Sequence, residues 1–308
     1  MDFAVSRARG VRNFGLVFAM LAVSSAAAAC TDRAQSASSS GLTAPRTSAP
    51  ESTTTSVAAS TVTSSLPPLA DGTNWKPVLR DDFTGAALDP THWSTCYSWS
   101  STTCTNASTH ELELYTPENV SVAAGELHLT ARSEGAFALG RHFAYTSGMV
   151  STARPDRTMF AFRYGYIEAR ARVPAAAGLW SAFWLLPSNH SALPEVDVFE
   201  IVGYQPGVAL EFTHWQGTNA AQQFGNATAL PTAVGGWHVY GLDWEPSSLT
   251  WYVDGRKVWT MNNRAGVPQQ DMTVIADLAV GGPYATAPRG AGAFPATMRF
   301  DYVKVWQH

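Results

Sequence analysis

The sequence predicts an all-β fold. Three observations carry it: period-two alternation over residues 162–173, apolar stretches joined by turn residues at Gly125 and at Asp254-Gly255, and an apolar strand that carries acids between Glu195 and Glu200. In the first, Ile167, Ala169, Ala171 and Val173 form one face and Tyr166, Glu168, Arg170 and Arg172 the other. In the second, Asp254-Gly255 supplies the left-handed residues of a tight hairpin turn.

The acid strand is the most informative element. Pro194-Glu195-Val196-Asp197-Val198-Phe199-Glu200-Ile201 separates its carboxylates by apolar side chains only. Alternation places Glu195 and Asp197 on one face, opposite Val196 and Val198. Glu200 is out of phase by one residue. A β-bulge absorbs the extra residue and returns Glu200 to the carboxylate face. Grouped acids repel and raise one another's pKa, which costs stability. Glycoside hydrolysis needs such a group, with one carboxyl ionised and one protonated. A third acid can share a proton with the first and hold the other two apart in pKa. A solvated edge strand and a calcium cage are the alternatives, and the cage ordinarily interleaves Gly and Asn. Val196, Val198 and Phe199 between the acids argue against both.

Glu195-Val-Asp-Val-Phe-Glu200 resembles the active-site signature of glycoside hydrolase family 16, in the bulged ExDxxE form of its laminarinase-like members. The resemblance implies a β-jelly roll, two curved antiparallel sheets with the substrate cleft on the concave face. It implies that Glu195 is the nucleophile, Glu200 the acid/base, and Asp197 the residue that positions Glu195. It implies no cofactor for catalysis.

The flanking segments extend the resemblance from Trp75 to Trp306. Asp82 closes an opening strand and stands where the family has Glu. With the Gly125 carbonyl and Asp301 of the last strand, it matches the family's structural calcium ligands. His110-Glu111-Leu112-Glu113-Leu114-Tyr115-Thr116 resembles a segment in which Asn precedes the first Glu. Gly178-Leu-Trp180-Ser-Ala-Phe-Trp184-Leu matches a cleft strand, so Trp180 and Trp184 are expected on its floor as stacking platforms. His214, in Thr213-His214-Trp215, is expected to touch substrate or the acid/base. Asp277 stands where the family has a sugar-contacting Asn, and Tyr284 stands in for a Trp that follows. Glu168 and Arg170 are expected to face the cleft and bond sugar hydroxyls, the alternative being a ladder of charges that only holds the sheet in register. Residues 216–236 read as a long loop over the cleft.

A charged fraction of 14% and a net charge of −4 point away from nucleic acid as a partner. Eleven Trp and ten Tyr suit a carbohydrate cleft, though a large β-sandwich core also consumes aromatics. Residues 1–29 read as an export signal: Arg7, Arg9 and Arg12 precede a short apolar run and then small residues. Cys30 follows Ala27-Ala28-Ala29, an arrangement similar to a bacterial lipoprotein cleavage site, with simple secretion as the alternative. Residues 30–70, rich in Ser, Thr, Ala and Pro, read as a disordered linker, and residues 71–308 as the catalytic domain. In an exported chain Cys96 and Cys104 form the expected disulfide.

These expectations converge on an exported monomer, secreted or lipid-anchored at the cell envelope, that hydrolyses β-1,3- or mixed β-1,3/1,4-glucan internally with retention. A cell-wall transglycosylase, a galactan- or agar-directed hydrolase of the same family and a non-catalytic carbohydrate-binding protein are the alternatives.

Overall fold

The structure, a computed structural model, describes residues 75–99, 104–106, 109–283, 285, 287, 288 and 293–308. The export segment, Cys30, the linker and Tyr284 lie outside the described residues. In chain order the first strands are β1 (Lys76–Asp81), β2 (Glu113–Tyr115), β3 (Val120–Ala123), β4 (Glu126–Ala131), β5 (Ala136–Ala138), β6 (Arg141–Phe143) and β7 (Tyr145–Ser147). Next come β8 (Met149–Ser151), β9 (Ala153–Arg154), β10 (Arg157–Thr158), β11 (Gly165–Arg172), β12 (Leu179–Pro187), β13 (Glu195–Val202) and β14 (Val208–Gln216). The last are β15 (Ala221–Ala229), β16 (His238–Glu245), β17 (Ser248–Val253), β18 (Arg256–Met261), β19 (Met272–Val280) and β20 (Ala296–Gln307).

Two antiparallel sheets pack face to face, the jelly-roll sandwich that the family resemblance implied. The acid sheet runs β15-β14-β13-β12-β19-β8, and the second sheet runs β18-β17-β16-β11-β20-β4-β3 with β1 also on β20. One core lies between them. Val196, Val198, Phe199 and Ile201 of the acid sheet join Ile167, Ala169, Tyr240 and Phe300 of the second. Phe199 packs on Tyr240 with ring centroids 4.0 Å apart. The turn chemistry holds: Asp254 and Gly255 take φ of 50° and 73° between β17 and β18. At the end of β13, Gly203 lies so near the neighbouring chain that a Cβ would meet the Ala176 carbonyl at 2.1 Å.

Two sequence expectations fail here. Glu168 and Arg170 lie on β11, which belongs to the second sheet and not to the acid sheet. Their alternating partners Ile167 and Ala169 fill the core, so Glu168 and Arg170 point away from the acids. Glu168 accepts from the Tyr302 hydroxyl at 3.0 Å, and Arg170 donates to Asp301 at 2.9 Å and lies 4.8 Å from the Trp237 ring. They are the cross-strand ladder, not sugar contacts. The second failure is the loop over residues 216–236: residues 221–229 of it are the edge strand β15, paired with β14 along its whole length. Its Gln, Asn and Thr side chains mask the strand in sequence. Asn226 and Thr228 both donate to Glu211 of β14, at 3.0 and 3.1 Å.

The predicted bulge is present in β13. Phe183 of β12 faces Phe199, while the next residue, Trp184, faces Asp197, so Val198 is the extra residue. On the other side Phe212 faces Asp197 and Leu210 faces Glu200. Val198 and Phe199 both enter the core, and the phase of the strand is reset. At that break the Asp197 carbonyl accepts a hydrogen bond from Trp251 of the second sheet, at 2.8 Å. Trp251 is fully buried. Replacing Trp251 with Phe keeps an aromatic ring but orphans the carbonyl and empties the space of the pyrrole half, so it should cost at least about 1–3 kcal/mol of stability in urea denaturation. An unchanged midpoint would show that this bond does not hold the bulge.

Candidate active site

The bulge sets Glu195, Asp197 and Glu200 on the face of β13 that looks away from the core. Trp180, one strand over, donates its indole N–H to Glu200 at 2.8 Å. His214 on β14 stands opposite Glu195 in register. Its Nε2 lies 3.2 Å from an Asp197 oxygen and 3.7 Å from a Glu195 oxygen. The imidazole therefore belongs to the Glu195–Asp197 end of the site. These three residues also form the one metal-type cluster among the described residues, with ligand atoms within 4.8 Å of one another. A proton between His214 and Asp197 satisfies the same atoms.

Burial and mutual repulsion raise all three acids. Glu195 is pushed up to about 8, first by burial and then by the Asp197 charge, while His214 pulls it down. Burial and the charge of Asp277 hold Asp197 well above the usual carboxylate range. Glu200 is held well above the usual carboxylate range by burial and then by the Asp197 charge, against the opposing pull of His214 and the Trp180 N–H. The arrangement favours a protonated Glu200, and His214 draws Glu195 back towards its ionised form. Those are the two states that a carboxyl pair needs for proton donation and nucleophilic attack.

Behind this trio lies a second buried acid group. Asp277 on β19 is 4% exposed and accepts from the Trp184 indole at 2.7 Å and from the Tyr115 hydroxyl at 3.3 Å. Tyr115 also reaches Glu111 at 3.3 Å, and the Val280 amide donates to Glu113 at 2.7 Å. Burial and the adjoining Glu113 raise Glu111, and burial raises Glu113 as well. Burial, then the Glu111 charge, lift Asp277 to about 7 despite its donors. Asp277 is thus a buried acceptor that fixes Trp184, and it does not face a sugar. Glu111 and Glu113 were not legible as site neighbours: nothing local in His110-Glu111-Leu112-Glu113 marks both acids as buried.

Other expected residues part company in the structure. Trp180 is half-buried beside Glu200, as a cleft wall requires. Trp184 shares its face but is only 9% exposed, because Tyr97 and Trp99 lie over it at 6.3 and 6.2 Å between centroids. It is not an open platform. The covering residues come from the segment closed by the Cys96–Cys104 disulfide, which is formed as expected. The Trp in that Ser/Thr-rich segment was the available signal. His110 is exposed and takes a φ of 57° at the turn into Glu111.

The three calcium ligands do not fit a divalent cation. Lys304 places its ammonium 3.2 Å from one Asp82 oxygen, and Arg80 binds the other. Asp301 is taken by Arg170. Gly125 completes the β3–β4 turn with a φ of 75°. Strand-borne cations already neutralise both carboxylates.

Comparison with known proteins agrees with this architecture. The profile of the glycosyl hydrolases family 16 matches residues 99–304. The beta-glucanase of Rhodothermus marinus is 31% identical over 262 residues, which are 76% of this chain and 86% of that protein. Endo-1,3-1,4-beta-glycanase ExsH of Rhizobium meliloti is 36% identical over 191 residues; these are 60% of this chain but 39% of that protein, so the chain spans less than half its length. The X-ray structure of endo-beta-1,3-glucanase from Pyrococcus furiosus matches with a TM-score of 0.68 at 28% identity, over 77% of this chain and 96% of that one.

The Asp277 environment generates a signed prediction. A buried carboxyl with a raised folded pKa contributes its full stability below the unfolded value and loses it as pH rises through the folded one. For Asp277 that window runs from 3.8 to about 7. Asp277→Asn keeps an acceptor for Trp184 and removes the charge. The variant should match the parent near pH 4 and exceed it by about 1–3 kcal/mol near pH 8 in urea denaturation. Equal stability at both pH values would remove the buried charge from the account.

Proposed function

The chain belongs to the glycosyl hydrolases family 16, and from that premise we propose that it is a retaining, endo-acting hydrolase of β-1,3-glucan or mixed β-1,3/1,4-glucan. Glu195 attacks the anomeric carbon as the glycosidic C–O bond breaks, and Glu200 gives its proton to the departing oxygen. A water then adds to the glycosyl-enzyme, its proton passes to Glu200, and Glu195 is released. Asp197 orients Glu195, and His214 eases its ionisation. The observation that carries this proposal is the bulge that returns Glu200 to the face of Glu195 and Asp197, with its acid proton favoured by burial.

The glucan preference is supported by the activities for which the Rhodothermus marinus, Rhizobium meliloti and Pyrococcus furiosus proteins are named. Export remains part of the proposal, with lipid attachment at Cys30 or cleavage nearby, as does a monomeric state. No observation favours transfer to a second sugar chain over hydrolysis, and product length on laminarin separates the two.

Glu195→Gln should lower laminarin hydrolysis by at least about 10³-fold, and Glu200→Gln by about 10²–10⁴-fold. Full activity in Glu195→Gln defeats the assignment, and an inverted anomer in the first product defeats retention. His214→Asn removes the charge that lowers the Glu195 pKa. The acid limb of its kcat/KM profile should therefore move to higher pH. A limb that stays in place or moves down would separate His214 from the ionisation of Glu195.

A further inference from the structure

Trp99 is a large aromatic left 40% exposed beside the acid face. Scattered exposed hydrophobics are ordinary on protein surfaces. What distinguishes Trp99 is that its ring is stacked and that the chain leading to it is anchored. It lies on Tyr97 with centroids 4.2 Å apart and 17° between planes. Tyr97 is 1% exposed and meets Tyr115 edge-on at 5.5 Å. Trp184, beneath both rings, is pinned by Asp277. An aromatic column thus rises from the floor of the acid face and ends on Trp99.

The backbone below the column is fixed at three points. Ser94 and Ser151 of β8 exchange two backbone hydrogen bonds of 2.8 Å. Cys96 is bonded to Cys104, and the Cys104 carbonyl accepts from the Tyr115 amide at 2.8 Å. The column also has a defined place along the cleft. The acids lie on β13, Trp184 on the adjacent β12, and Asp277 on β19 beyond it. Strands are spaced about 4.8 Å apart, close to the length of one hexose in a chain. A glucan crossing the strands from the acids towards β8 reaches the column within about one or two sugar units.

We propose that Trp99 is the stacking platform of a sugar subsite on the β8 side of the acids, held in place by the Cys96–Cys104 bond. The negative face of the indole attracts the polarised C–H groups on the flat side of a pyranose. Trp184, the residue the sequence suggests for this task, is covered, and Trp99 presents the accessible ring in its stead. Because the subsite rests on the hydrolase reading above, binding is tested apart from turnover.

Trp99→Ala should raise KM for laminarin about tenfold while kcat falls less than about threefold, and the KM penalty should shrink as the oligosaccharide is shortened. Trp99→Phe should restore most of the loss. Phe137→Ser, an exposed aromatic on the distant β5–β6 hairpin, serves as the control for non-specific surface effects. Calorimetric titration of laminarin oligosaccharides into Glu195→Gln and into Glu195→Gln/Trp99→Ala reads affinity without chemistry. A weakening of about tenfold in the double variant supports the subsite. Affinities within about twofold overturn it, and leave the hydrolase reading standing if Glu195→Gln is inactive. Mild reduction of the disulfide should weaken binding in the parent and not in Trp99→Ala. Equal effects on both would overturn the disulfide's part in it.

Discussion

One hydrogen bond through the middle of the sandwich governs the geometry of the acid face. A strand that gains a residue must leave part of its ladder broken, and a buried carbonyl without a partner is costly. Trp251 of the second sheet supplies that partner at Asp197, at the point where the register of β13 changes. The two sheets are therefore joined by a directed polar contact as well as by apolar packing. Glu200 comes round to the side of Glu195 because this irregularity is stable where it stands.

The charge pattern of the site follows from where the donors come from. Trp180, Trp184 and Tyr115 give neutral N–H and O–H groups to Glu200 and Asp277. Neutral donors position a carboxyl without forcing it to ionise, whereas an Arg or Lys would. His214 is placed beside Asp197 and Glu195, where its charge works against the burial that raises Glu195.

Much of this was legible in the sequence, and the omissions have physical causes. The phase slip between Asp197 and Glu200 announced the bulge, because alternation has only two faces. Asp254-Gly255 announced its hairpin, because few residues accept a positive φ. The same two-face logic separates Ile167 and Ala169 from Glu168 and Arg170 but does not say which sheet β11 joins, and so does not tell the cleft from the far surface. β15 escapes the pattern because small and polar side chains fall on both of its faces, with no apolar alternation. Trp184 was placed on the correct face, yet a segment eighty-odd residues earlier in the chain roofs it, and no local pattern encodes that (Trp99 precedes it by 85 positions). The burial of Glu111 and Glu113 likewise depends on distant partners: Glu111 bridges to Gly281, and Glu113 meets Val280 and Asp277.

Lys304 has a consequence of its own. It is 6% exposed, lies 3.8 Å from the Tyr302 ring centroid and reaches Asp82 just past the end of β1. The positive charge that ties the opening of the domain to its closing strand is carried on a covalent side chain. The seam between the opening and closing strands of the sandwich is thus fastened by a charge that the polypeptide carries itself.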